Sequence, residues 1–345
     1  MEKLIIIVLI LFLSGIIFWK PINTNIQTLL LISQEFPQIP LKPLHLLTKA
    51  PIHQKVQLTS PNGPIVADII IPPDSKPVSK PALILAMGVK TNEKDKLVIL
   101  DFADSLSRLG YIVFWPRLEI LEKGLSDFEK PSTFVASYKY LENQKSVNKN
   151  RITFVGFSVG SSIAFAAASD PQIAAKPRSL VFFGGYYDIF EYLENLATKT
   201  FALNGQKVSW QPDQSAINHV KEILDTNQSS LAQIFKDVKS TKTIDEILRS
   251  LPENEIDKLK DLSPKEMTDN YKTPTFILHE RNDTFVPFAQ SIALKTALPE
   301  NLQKSYLITN LFEHVQPQKG TNPKILGEIA KLYIFLYKTL YFLDS

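Results

Sequence analysis

Hydrophobic positions change period along this chain. Residues 4–19 form an apolar run broken only by Ser14 and Gly15 and bracketed by Lys3 and Lys20. As a helix this run would be roughly 24 Å long at ~1.5 Å per residue, near the lower limit for crossing a hydrocarbon core. Residues 23–51 lose that continuity and carry Pro37, Pro40, Pro43 and Pro51, a linker-like composition. Two strand-like segments follow, residues 55–58 and 65–71, with Asn62-Gly63 as the turn between them. Strand and helix patterns then alternate: strand 81–86, helix 96–109, strand 111–115, helix 133–143, strand 152–155, helix 161–168 and strand 180–183. Such alternation predicts an α/β fold, a mostly parallel sheet with helices on both faces. Any ligand crevice would then lie beyond the carboxyl ends of the strands.

From 186 to 272 the alternation stops. Residues 217–224, 231–238 and 243–251 instead repeat with helical period, which predicts a helical insertion. Strand patterns resume at 275–278 and 305–308, and residues 323–343 predict a final helix whose apolar face packs on the sheet.

The chemistry concentrates at the ends of these strands. Gly156-Phe157-Ser158-Val159-Gly160 sits between the strand at 152–155 and the helix at 161–168. A strand-to-helix turn this sharp forces a serine into a strained conformation and presents its hydroxyl at the sheet edge, while the flanking glycines allow close approach. The strand at 275–278 runs into a loop with Asn282-Asp283-Thr284-Phe285-Val286-Pro287, and the next strand is followed by Asn310-Leu311-Phe312-Glu313-His314. A neutral imidazole can take the serine proton near pH 7, and a carboxylate behind it fixes its tautomer.

These segments, in the order Ser158, Asp283, His314, resemble the α/β-hydrolase superfamily, serine esterases and lipases with a helical cap. The resemblance covers roughly residues 55–345. It implies Ser158 as nucleophile, His314 as base and Asp283 as acid, with Asp188 as the alternative acid and helix N-cap as that residue's other role. It further implies an oxyanion hole from the main-chain amides of Val159 and Val89, with Gly88 in the loop. Family members commonly carry His-Gly where this chain has Met87-Gly88. His45, His53, His219 and His279 are expected to be structural or solvent-facing. Tyr186, Tyr187, Phe190 and Trp210 are candidate aromatics for a pocket under the cap.

The implied organisation is a membrane anchor or signal segment at 1–20, a linker at 21–52, a hydrolase core at 53–185 and 273–345, and a helical cap at 186–272 inserted after the sixth strand. Bulky Phe18-Trp19-Lys20-Pro21 lacks a cleavage signature, which favours an uncleaved anchor contacting the membrane through residues 4–19, with the catalytic domain on the extracytoplasmic side. The implied activity is hydrolysis of a carboxylic ester through an acyl-enzyme, on a small-molecule acyl substrate, with a lipid-derived compound and a soluble one both open. Peptidase, acyltransferase and silent binding protein stand as alternatives on the same fold. No metal or organic cofactor is implied.

Composition narrows this picture at two points. The absence of cysteine excludes disulfides and a thiol nucleophile. A net charge of +3, from 38 basic and 35 acidic residues, is too balanced to argue for nucleic acid.

Overall fold

The computed structural model describes residues 2–61, 63–73, 79–88, 93–117, 131–226, 250–318 and 325–345, without the side chains of 2–18, 93–95 and 223–226. Helix α1 (Glu2–Glu35) takes in the apolar run and continues through Pro21. Its second half is not a linker. Thr24, Thr28, Leu31 and Ile32 recur at helical spacing and are buried, and Leu31 and Ile32 join apolar clusters with the final helix. Chain direction changes only after Phe36, where Lys42 caps the end of α1 by donating to the carbonyls of Ser33, Gln34 and Phe36. A short helix α2 (Pro43–Leu47) begins with proline at its first turn, where a missing N–H costs nothing, and its Leu44 is fully buried.

Strands β1 (Ile52–Ser60) and β2 (Gly63–Ile71) pair antiparallel in an unbroken register from Ile52↔Ile71 to Ser60↔Gly63. Asn62 of the expected turn lies outside the described residues. Then follow β3 (Lys80–Ala86), α3 (Glu93–Arg108), β4 (Ile112–Arg117), α4 (Ser132–Glu142), β5 (Val147–Phe157), α5 (Val159–Ser169) and β6 (Ser179–Phe183). The inserted region holds α6 (Ile189–Thr198), a hairpin of β7 (Thr200–Leu203) and β8 (Gln206–Ser209), α7 (Gln214–Thr226), α8 (Glu253–Lys260) and α9 (Pro264–Met267). It is therefore not purely helical: Asn204-Gly205, both at positive φ, turn the chain back into a two-stranded ribbon. The segment 231–238 and all of 243–251 but its last two residues lie outside the described residues. The core closes with β9 (Thr275–Glu280), α10 (Ala289–Ala297), β10 (Gln303–Thr309), a two-residue-per-strand hairpin of β11 (Phe312–Glu313) and β12 (Gln316–Pro317), and α11 (Ile325–Leu343).

Eight strands form one sheet in the order β1-β2-β4-β3-β5-β6-β9-β10. Pairs from β4 through β10 are parallel, and β1–β2 and β2–β4 are antiparallel. The carboxyl ends of β3, β5, β6, β9 and β10 thus share one edge. One face is covered by α4 and α5, with Phe134, Tyr138, Ile163 and Phe165 in the core. The other is covered by α1, α3 and α11. Among the described residues no helix is long and apolar enough to cross a membrane, and the side chains of residues 4–18, where the anchor was expected, lie outside the described set. Trp19, at the end of that run, is 68% exposed.

Candidate active site

Ser158 stands between β5 and α5 with φ 55° and ψ −136°, a backbone region that costs a non-glycine residue of order 1–3 kcal/mol. Packing on both sides holds it there. A Cβ on Gly156 would fall 2.4 Å from the Ser161 Cα, and one on Gly160 would fall 2.1 Å from the Ala86 carbonyl oxygen. The turn can therefore close only with glycine at both positions. Main-chain bonds complete the clamp: Ser158 N–H donates to the Phe183 carbonyl at 2.8 Å, and the Ser161 hydroxyl donates to that same carbonyl while accepting from Phe183 N–H.

His314 sits at the first turn position of the β11–β12 hairpin, with φ 58°. Its Nδ1 lies 2.6 Å from the Asp283 Oδ2, and its ring stacks on Phe285 at a centroid distance of 4.8 Å. Asp283 is 2% exposed, and its other oxygen, Oδ1, accepts the amides of Phe285 (2.7 Å) and Val286 (3.0 Å). Burial acts to raise this carboxyl. His314 beside it, with hydrogen bonds from His279 and His314, outweighs burial and holds it well below the usual carboxylate range. An ionised Asp283 makes His314 carry its proton on Nδ1, leaving Nε2 as the basic nitrogen.

Space for this pair comes from Gly184, at φ 66°, where a Cβ would meet Val315 at 3.1 Å and both Asp283 and His314 at 3.6 Å. Ser158 and His314 line one cavity of about 590 Å³ together with Met87, Gly88 and Val159. Gly88 lies against the serine: a Cβ there would be 3.0 Å from the Ser158 Cβ. Val159 is the first residue of α5, so its N–H has no acceptor inside the helix, and the residue lines the same cavity as Ser158. Val89, expected as the second donor, lies outside the described residues.

Asp188 occupies a different place. Its Oδ1 caps α6 by accepting from Phe190 N–H and Glu191 N–H, and its Oδ2 accepts from Lys265 Nζ at 2.8 Å. The carboxylate is thereby committed to the cap.

The other histidines divide. His45 and His53 are exposed, and His53 pairs with Asp104. His279 is fully buried beneath the acid loop, with Nδ1 2.6 Å from the Ser291 hydroxyl and Nε2 2.9 Å from the Val286 carbonyl and 3.3 Å from the Asp283 Oδ2. It braces the acid as well as packing. His219 is buried and lines the cavity, not the solvent-facing surface.

Of the candidate aromatics, Tyr186 lines the cavity and stacks on Tyr192, another lining residue, at 5.4 Å. Tyr187 instead hydrogen-bonds Thr268, and Phe190 packs on the cap cluster. Trp210 points to the acid loop and donates from Nε1 to the Asp283 carbonyl at 2.8 Å.

Two contributors carry no motif. Glu280, at the end of β9, accepts Asn282 N–H on one oxygen (3.1 Å) and Phe312 N–H on the other (2.9 Å), tying the acid loop to the histidine hairpin. Helices α1 and α11 also line the cavity. The only hint in the sequence was the strength of their apolar faces. Glu35 is the single carboxylate among the described lining residues, and burial pushes it up to about 7.

The BD-FAE family model matches residues 136–298, from α4 through the serine turn and acid loop to the end of α10, stopping before His314. No curated protein matches the chain. Among solved structures it is similar to the 2,6-dihydroxy-pseudo-oxynicotine hydrolase (TM-score 0.54, 16% identity, 84% of this chain and 68% of that one). It is also similar to the Porphyromonas gingivalis dipeptidyl peptidase 4 (0.53, 13%, 84% and 36%) and the Pyrococcus horikoshii acylaminoacyl peptidase (0.51, 14%, 87% and 42%). The chain spans less than half the length of either peptidase. At these identities the likeness is one of architecture.

Proposed function

We propose that this chain, which has the α/β-hydrolase fold, is a serine hydrolase that cleaves a carboxylic ester through an acyl-enzyme. The observation that carries the reading is the 2.6 Å bond from His314 to the buried Asp283, beside a serine held at φ 55° in the same cavity. Ser158 Oγ attacks the ester carbonyl and forms the new C–O bond while His314 Nε2 takes its proton. Charge on the carbonyl oxygen is met by the Val159 amide and a second amide from the loop after Gly88, in our assignment Val89. Collapse breaks the bond to the alcohol, which leaves with the proton from His314. Water then repeats the sequence on the acyl-enzyme, returning Ser158 and releasing the acid. Asp283 stays ionised throughout and orients the imidazole.

Two of the similar structures are peptidases, and amide cleavage would use the same constellation. The ester reading is favoured by a cavity lined mainly by apolar side chains, with Glu35, Ser215, His219 and Gln316 among the few polar ones away from Ser158 and His314, which offers few partners for peptide N–H and C=O groups. The apolar run at 4–19 supports a membrane anchor, with the catalytic domain on the extracytoplasmic side.

A fluorophosphonate probe applied to the full chain and to Ser158→Ala and His314→Ala tests the reading. Labelling that requires both residues is expected. Labelling that survives Ser158→Ala, or none in folded wild-type protein, would overturn it.

A further inference from the structure

The cavity at Ser158 does not stop beneath the cap. It continues across the face of the sheet covered by α1, α3 and α11. Leu332, Phe335, Leu336, Thr339, Leu340 and Leu343 line it along α11, and Val98, Ile99, Phe102 and Leu106 do so along α3. The opposite wall is the sheet, through side chains such as Val155 and Val181.

The direction of this path follows from what holds each end of α11. At its start, Glu328 accepts the Thr309 hydroxyl and the Asn310 amide, just before the hairpin that carries His314. At its finish, the Leu343 carbonyl accepts Arg151 Nε and the Phe342 carbonyl accepts Arg178, the first in the amino-terminal half of β5 and the second just before β6. Lys20 also stands there, donating to Ser345 and lying over the Tyr341 ring at 3.9 Å. The path therefore runs from the reactive serine back to the place where the apolar run of α1 ends.

Its length is set by the helix. From 332 to 343 the lining covers three turns, roughly 16 Å at ~1.5 Å per residue. Half of a hydrocarbon core about 30 Å thick is about 15 Å, the depth occupied by one membrane-lipid chain. A cavity of 590 Å³ is well within the range of roughly 300–1,000 Å³ seen for ligand pockets. A peptide laid along this path would bury its N–H and C=O groups against hydrocarbon, whereas a methylene chain has nothing to leave unpaired.

We infer that the α1–α3–α11 channel is an acyl-chain site: it takes a single long unbranched acyl chain, carbonyl at Ser158 and tail toward Leu343 and Lys20. This assignment rests on the serine reading for the position of the carbonyl, but the channel binds a chain whether or not the serine turns over. It makes the second half of α1 a wall of the substrate site, so the helix that carries the anchor also shapes the cavity.

The test uses the full chain in detergent micelles below substrate-aggregating concentrations, with p-nitrophenyl acetate, octanoate and hexadecanoate. Specificity, kcat/KM, should rise with length by up to about fourfold per methylene, the effect of burying one CH2, and hexadecanoate should exceed acetate at least about tenfold. Leu336→Trp should lower the hexadecanoate-to-acetate ratio about tenfold or more, because the indole would obstruct the channel. As a measurement independent of turnover and of that variant's folding, Ser158→Ala should show a rise in melting temperature with hexadecanoic acid that octanoic acid does not match. A flat length dependence, an unchanged ratio in Leu336→Trp, or no such rise in Ser158→Ala would each overturn the acyl-chain site. Loss of fluorophosphonate labelling with hexadecanoate binding intact would instead sink the hydrolase reading and leave the channel standing. Comparing the free ester with the same acyl group in phosphatidylcholine vesicles tells a soluble source from a bilayer one.

Discussion

Trp210 of the inserted region donates its indole N–H to the main-chain carbonyl of Asp283 at 2.8 Å. In the segment just after it, Asp213 N–H donates to the Thr284 carbonyl at 2.8 Å. The insertion thus bonds directly to the loop that carries the candidate acid. Trp210→Phe keeps an aromatic ring but leaves that carbonyl short of a donor in a buried place, a loss of about 1–3 kcal/mol. We expect urea unfolding to show a destabilisation of that order, with kcat falling more than KM changes as Asp283 loses its fixed position.

Glu280 holds the two halves of the site together from below. Glu280→Gln would place an amide N–H2 against either Asn282 N–H or Phe312 N–H, two donors facing each other. Because Glu280 touches neither substrate nor serine, its effect should be carried by the His314 hairpin: a drop in kcat of roughly tenfold, about 1.4 kcal/mol. Kinetics on a short ester would check this, and unchanged kcat with a lowered melting temperature would reduce Glu280 to a purely structural role.

The two carboxylates that competed as acid should separate cleanly on substitution. Asp283→Asn should lower kcat by roughly 10³–10⁴, because the imidazole loses the partner that selects its tautomer. Asp188→Asn should leave kcat within a few-fold and instead cost about 1 kcal/mol through the weakened cap of α6. Steady-state rates and denaturation of both variants decide the matter, and reversed outcomes would make Asp188 the acid.

Two glycines differ in what surrounds them. Gly160→Ala must push a Cβ into the main chain of Ala86 and Met87, where nothing flexible can yield, so a loss of about 1–3 kcal/mol or failure to fold is expected. Gly327→Ala, in α11 with nothing within 4 Å of the new Cβ, should stabilise by about 0.5–1 kcal/mol. Chemical denaturation of the pair gives opposite signs if the local geometry is right.

Stability should also respond to pH through Glu35, whose carboxyl is raised from 4.5 to about 7 by burial. Between those values the folded protein holds a proton that the unfolded chain has released, so stability declines as pH rises through the window and levels off above it. Asp283 acts oppositely: its depressed carboxyl contributes stability above the usual carboxylate range that is lost as pH falls through it and below. Denaturant midpoints at about pH 5 and about pH 8 should differ in the wild type, and Glu35→Gln should remove most of that difference.

By itself the sequence determined what depends on local pattern. Strand and helix periods alternate because each element must bury one face, so the parallel sheet was legible from the spacing of apolar residues. The serine turn was legible because Gly156 and Gly160 are the only residues its close approaches admit, and the chain order of Ser158, Asp283 and His314 survives in the linear text. Tertiary structure decided everything that depends on which faces meet. Only three-dimensional packing commits Asp188 to Lys265 and α6, brings Trp210 onto the Asp283 loop and lets Glu280 bridge that loop, at Asn282, to the histidine hairpin, at Phe312. The same is true of the second half of α1, whose apolar residues, with Pro37, Pro40 and Pro43 following them, read as a linker. Its buried stripe gains meaning only against α11, from the opposite end of the chain, and both helices line the cavity. Periodicity records that a residue is to be buried; it does not record what will lie on the other side.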